Sequence, residues 1–184
     1  ATGAATYTWT PSTNLSATTG ATVTATPTNT IIYTVTGIDA NGCQKTDTAK
    51  VTVNALPNVL ANGGSICAGG SKTITATGAA TYTWTPSTNL SATTGATVTA
   101  TPTNTLIYTV TGTDANGCKA TDTAKVTVNS LPTVIADGSA ICAGGSKTLT
   151  ATGAINYTWT PSTNLSATTG ATVTATPTNT TVYT

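Results

Sequence analysis

The chain has 184 residues, six lysines against five aspartates, a formal net charge of +1, and no Glu, Arg, His, Phe or Met. So balanced a surface offers no field to steer an anionic polymer, which argues against nucleic acid as a partner. No run of eighteen apolar residues exists, so no membrane span is expected. Thr supplies between a quarter and a third of the chain while helix formers are scarce, which favours an all-β class.

Repetition organises everything else. The stretch "YTWTPSTNLSATTGATVTATPTNT" begins at Tyr7, Tyr82 and Tyr157, letter for letter, and positions 1–75 differ from 76–150 at only eleven places. A 75-residue unit is large enough to bury a core of its own, unlike the shorter repeats of a solenoid, so separate beads are expected. The windows are 1–55, a repeat lacking its first strands; 56–130, a complete repeat; and 131–184, a repeat lacking its last strand. The sequence opens at Ala1, equivalent to Ala76, and stops at Thr184, equivalent to Thr109. Joined end to end these phases do not match, so simple donor-strand polymerisation is not expected and a cut from a longer array is the expectation.

Within the complete repeat, "NALP" (54–57) marks the joint, because proline cannot donate to a ladder. "NVLANGGSIC" predicts a first strand interrupted at Gly63 and Gly64, "AGGS" a turn, and "KTITATG" a strand with Ile74 inward. "TYTWTP" puts Tyr82 and Trp84 on one face and threonines on the other; "STNLSATTG" is a loop with Leu90 tucked in; "ATVTATPT" is a strand ended by Pro102. "TLIYTVTGT" and "KATDTAKVTV" flank a "DANG" hairpin turn, where Gly supplies the positive φ. Seven short strands or slightly fewer, with regular turns, predict a Greek-key β-sandwich. Thr suits the outward positions, being β-branched and hydrophilic. The core is expected to be thin and centred on Trp84, with Trp9 and Trp159 as its counterparts and Tyr108 beside it.

"ICAGGSKTITATG", "YTWTPSTNLSATTGATVTATPTNT" and "YTVTGTDANGC" together resemble the Ig-like, PKD-like tandem repeats of large secreted surface proteins of Bacteroidota, the gliding-motility adhesins and filament proteins among them. The acidic stretch that follows the Trp of classical PKD domains is replaced here by "TPSTNL". The resemblance covers the whole chain. It implies export, commonly by the type IX route, and a structural or adhesive role outside the cell.

Cys43, Cys67, Cys118 and Cys142 recur at fixed positions, which fits an oxidising compartment. Three pairings are open, with free thiols as the remaining alternative: Cys67 to Cys118 within a repeat; Cys43 to Cys67 and Cys118 to Cys142 across a joint; or bonds to copies elsewhere. Loop entropy separates the first two by only about half a kcal/mol. An Ig-like topology sets the two turns at opposite poles, which is awkward for both, yet Cys67 with Cys118 is the single pairing adopted. Without His or a C-x-x-C spacing, zinc is not expected.

Asp39, Asp114 and Asp137 are the candidates for calcium at the joints, but carboxylates are too few for a tight cage and the Asx-turn reading is preferred, so no cofactor is expected. "DTA" matches the short O-glycosylation signal of the resembling proteins and makes Thr48 and Thr123 candidates; Asn14, Asn89 and Asn164 stand in formal N-glycan sequons that read better as loop positions. The usual general bases and anion clamps are missing, so no enzyme is expected. The leading reading is a structural or cohesive segment of an extracellular bacterial filament or adhesin, whose partners are neighbouring repeats, other copies of itself, or surface glycans. A glycan- or surface-binding module is the alternative, and ice binding through T-x-T runs is set aside because a small sandwich twists. Near-identical neighbours also carry a risk of misfolding by strand exchange.

Overall fold

The computed structural model describes residues 1–184 and contains thirteen strands and no helix. Residues 1–55 form β1 (Thr6–Thr10), β2 (Ile31–Ile38) and β3 (Gln44–Val51), a three-stranded sheet in that order. Residues 56–130 form β4 (Leu60–Ala61), β5 (Gly64–Cys67), β6 (Lys72–Thr77), β7 (Thr81–Thr85), β8 (Thr97–Ala100), β9 (Leu106–Thr113) and β10 (Lys119–Asn129). Residues 131–184 form β11 (Ile135–Ala136), β12 (Lys147–Thr152) and β13 (Thr172–Ala175). Every sheet draws its strands from one repeat.

The middle repeat is an Ig-like β-sandwich. One sheet runs β5-β10-β9-β7, the other β4-β6-β8. The predicted first strand is two strands in different sheets: β4 pairs antiparallel with β6, and β5 pairs parallel with β10 from Val126↔Gly64 to Asn129↔Cys67. The glycines explain the switch. Gly63 crosses between the sheets so close to β10 that a Cβ there would overlap the Lys125 carbonyl. Alternation does the rest, since Tyr82, Trp84, Val98, Tyr108, Val110, Ala124 and Val126 all turn into the space between the sheets. Trp84 is 1% exposed and Tyr108 fully buried, with Ile74 and Ala76 opposite.

The invariant stretch, 82–105 in this repeat, carries most of β7, a long loop and β8. After β7 the chain passes the cis Thr85–Pro86 bond, turns at Asn89 (φ 59°) and runs along the side of the sandwich. It hydrogen-bonds the free edge of β7 (Trp84 N–H to Thr93 O, 2.7 Å; Gly95 N–H to Tyr82 O, 3.2 Å) and then that of β8 (Ser91 N–H to Thr99 O and Thr101 N–H to Asn89 O, both 2.8 Å). The Trp84 indole N–H donates to Gly95 O at 2.9 Å and the Tyr108 hydroxyl to Thr88 O at 3.1 Å, fastening this strap from inside. One loop therefore covers the edges of both sheets on one flank.

The outer repeats show how much of this is tertiary. Residues 22–25 carry the letters of β8 but form no strand, because residues 1–55 contain no counterpart of β6 to pair with. The expectation that Trp9 lies in a core is corrected: it is only partly buried, since only one sheet is present beneath it. Trp159 is buried, 4% exposed, against Leu149, Ala151, Val173 and Ala175.

Trp84→Ala in the full chain is expected to destabilise the middle repeat by about 3–5 kcal/mol, by lost burial and an unfilled cavity. Urea unfolding followed by near-ultraviolet circular dichroism measures it. The same change at Trp9 should cost far less.

Candidate functional site

The chain runs through the middle repeat from pole to pole. It comes in beside Gly78 and Gly112, where Asn58 and Val59 pack closely, next to the "DANG" hairpin. It leaves from Asn129, at the other end of β10. The incoming pole is built by an Asx turn, in which Asp114 Oδ1 accepts from Asn116 N–H and Cys118 N–H, both at 2.8 Å. Asp39 does the same for Asn41 and Cys43. These carboxylates are thus spent on local backbone donors, and no three His, Cys, Asp or Glu side chains converge anywhere. Asp137 belongs to a different feature, accepting from Thr150 N–H at 2.7 Å where the middle repeat has Asn62 on Thr75.

The cysteines fall one to each pole. Cys118 precedes β10 at the incoming pole, and Cys67 ends β5 opposite Asn129 at the outgoing pole. An eleven-residue strand separates them, roughly 35 Å at about 3.3 Å per residue. A disulfide needs Cα atoms within about 7 Å. The adopted pairing of Cys67 with Cys118 is therefore corrected, and both are free thiols, as are Cys43 and Cys142. A short bis-maleimide added to the full chain should react at all four sites yet never bridge Cys67 to Cys118 within one molecule. Peptide mass mapping would check this.

Between the poles lies a face of hydroxyls. On the outer side of β7, β9 and β10 the register aligns Thr83, Thr111 and Thr121 in one row and Thr85, Thr109 and Thr123 in the next. The rows repeat in β1–β3 as Thr8, Thr36, Thr46 and Thr10, Thr34, Thr48. Strand spacing sets neighbours about 4.8 Å apart across the sheet. No aromatic ring stands among these rows. Thr48 and Thr123 are exposed, while the aspartate before Thr123 turns inward: Asp122 Oδ2 accepts from Ala61 N–H at 2.7 Å and ties β10 to β4 of the other sheet. That bond, with a second from Thr123, holds the Asp122 carboxyl below the ordinary carboxylate range. Asn14, Asn89 and Asn164 have φ of 58–61°, the left-handed region that Asn tolerates, so their role is to turn the strap.

A depressed carboxyl contributes stability above its unfolded pKa of about 4 and loses it as pH falls through the lower folded value. The middle repeat should accordingly weaken as pH falls below about 4, and Asp122→Asn should flatten that limb of the urea-midpoint profile.

No protein-family model matches the chain, and no curated protein matches it. Solved structures that resemble it include the titin domains Z1Z2 in complex with telethonin (TM-score 0.28, 18% identity, covering 71% of this chain and 85% of that one). Protocadherin gamma B7 extracellular cadherin domains 1–4 give a TM-score of 0.30 at 9% identity over 92% of this chain and 57% of that one. A surface glycan-binding protein, SGBP-B, of the Bacteroides ovatus mixed-linkage glucan utilization locus, in complex with a heptasaccharide, gives 0.20 at 22% identity over 61% and 32%. At such scores the likenesses add nothing to the fold read from the strand order.

Proposed function

We propose that this chain is a structural segment of an extracellular bacterial surface filament or adhesin, in which tandem Ig-like beads provide reach and cohesion. The observation that carries the reading is the pole-to-pole path of the middle repeat: it takes the chain in beside Gly78 and releases it at Asn129, so successive beads extend rather than double back. The long faces support it too, presenting threonine rows without an aromatic platform for a sugar ring. The segment acts without catalysis, and its partners are neighbouring repeats or further copies of itself.

Export by the type IX route and O-glycosylation at Thr48 and Thr123 belong to the same reading. Both threonines are exposed and sit on the outer face of the last strand of their sheets, where a sugar would leave the core untouched.

Negative-stain microscopy of material isolated from the producing cells should show thin fibres with an axial repeat near the length of one bead. Compact monodisperse particles would refute the structural role. Retention of the chain on immobilised polysaccharide, with no fibres, would point instead to the glycan-binding module.

A further inference from the structure

We infer that Asn41 and Asn116 are sites of spontaneous main-chain modification. Each condenses with the nitrogen of the glycine after it, loses ammonia, and passes through a succinimide to aspartyl and isoaspartyl residues, while Asn62 stays an amide.

Asn-Gly occurs three times, at 41–42, 62–63 and 116–117. Glycine after asparagine favours ring closure, because no side chain hinders the attacking nitrogen. By sequence alone the three sites are equals. The fold separates them.

Asn116 and Gly117 stand at the tip of the β9–β10 hairpin, and Asn41 and Gly42 at that of β2–β3. All four residues are exposed, and each asparagine bonds the Asx turn through its main-chain N–H, leaving its carboxamide free. The nucleophile is lightly held. Gly42 N–H donates to Asp39 O and Gly117 N–H to Asp114 O, both at 3.2 Å, beyond the commonest length of about 2.9–3.0 Å. A Cβ at either glycine would meet nothing within 4 Å, so the tip has room to rotate. Such tips open locally while the ladder behind them stays paired.

Asn62 is the opposite case. Its Oδ1 accepts from Thr75 N–H at 2.7 Å, and its own N–H donates to Thr75 O at 3.1 Å. Carboxamide and main chain are both pinned to β6. Gly63 passes so close to β10 that a Cβ there would overlap the Lys125 carbonyl. Ring closure would have to swing the carboxamide off Thr75 and turn a peptide that lies against Lys125, lifting the first strands of the repeat. The third repeat carries Asp137 at this position, with the same 2.7 Å bond from Thr150 N–H. A carboxylate fits the site; the route to it through the ring is closed.

At the hairpins, Gly117 N gives its proton to hydroxide and attacks Asn116 Cγ. The N–Cγ bond forms, the Cγ–Nδ2 bond breaks, and ammonia leaves. Water then opens the ring. Attack at Cγ yields an ordinary aspartyl residue, and attack at the main-chain carbonyl carbon yields isoaspartyl, whose main chain is one carbon longer. Each conversion adds one negative charge to a chain of net +1, two residues from Asp39 or Asp114. The lengthened link falls between the two N–H groups, of Asn116 and Cys118, that Asp114 Oδ1 holds at 2.8 Å. With time this pole therefore becomes more acidic and its Asx turn loosens.

The intact chain, held in mildly alkaline buffer and sampled by peptide mass mapping, should convert at 41 and 116 at least tenfold faster than at 62. Isoaspartyl should appear at both fast sites, and anion exchange should resolve two successive acidic steps. In urea that unfolds the chain the three rates should converge. Asn116→Gln should remove one fast step and leave Asn41 converting as before. Equal rates at the three sites of the folded chain, a faster Asn62, or hairpin asparagines that stay amides while the unfolded chain converts would each overturn the inference.

Discussion

The structure depends on the strap that closes one flank of the sandwich, and the strap depends on the indole. Trp84 is the largest side chain between the sheets, and its N–H reaches the Gly95 carbonyl at 2.9 Å, so one residue fills the core and holds the loop against the edge. A buried indole N–H without a partner would be costly, and the strap supplies one. The same bond recurs at Trp9–Gly20 and Trp159–Gly170, each at 2.9 Å, although the three repeats bury very different amounts of core. The strap is local: its donors and acceptors all lie within the stretch that never varies, apart from the Tyr108 hydroxyl that pins it. The stretch thus supplies a turn, an edge cover and part of the core in each copy.

What was legible in the sequence was the alternation. Tyr82, Trp84, Tyr108 and Val110 announce their inward faces by position alone, and the "DANG" turn announces its hairpin. Two things were not legible. The stretch from Val59 to Cys67 reads as one interrupted strand, and only the close approach of Gly63 to Lys125 reveals that it changes sheets. The loop "STNLSATTG" carries no periodicity, so its work as an edge cover was invisible; the signal was Asn89 before Leu90, a left-handed turn that lets Leu90 pack under the strap. The strands of the outer repeats make the limit plain. Identical letters form β8 in one repeat and no strand at 22–25 in another, so partner availability and not propensity decides.

The parallel pairing of β5 with β10 fixes the direction of the molecule. Because the chain comes in at one pole and leaves at the other, a first-strand segment cannot fold back onto the repeat that precedes it without spanning a whole bead, roughly 35 Å, across a joint of a few residues. Neighbouring repeats of near-identical sequence are thereby kept from exchanging strands along one chain, the hazard their identity would otherwise create. The geometry that forbids a Cys67–Cys118 bond within a repeat is the same geometry. Both follow from the length of β10.

The distribution of polarity then decides where cohesion can reside. The long faces are rows of threonine hydroxyls that water already satisfies, so covering them releases little apolar surface. One flank is closed by the strap. Apolar groups without cover stand at the joints, where Leu56 is 70% and Leu131 61% exposed, and at the ends of the threonine rows, where Ile32 is 55% and Ile107 53% exposed. Since association is driven chiefly by apolar burial, contacts between units should form where the chain passes from one repeat to the next more readily than over the threonine hydroxyls.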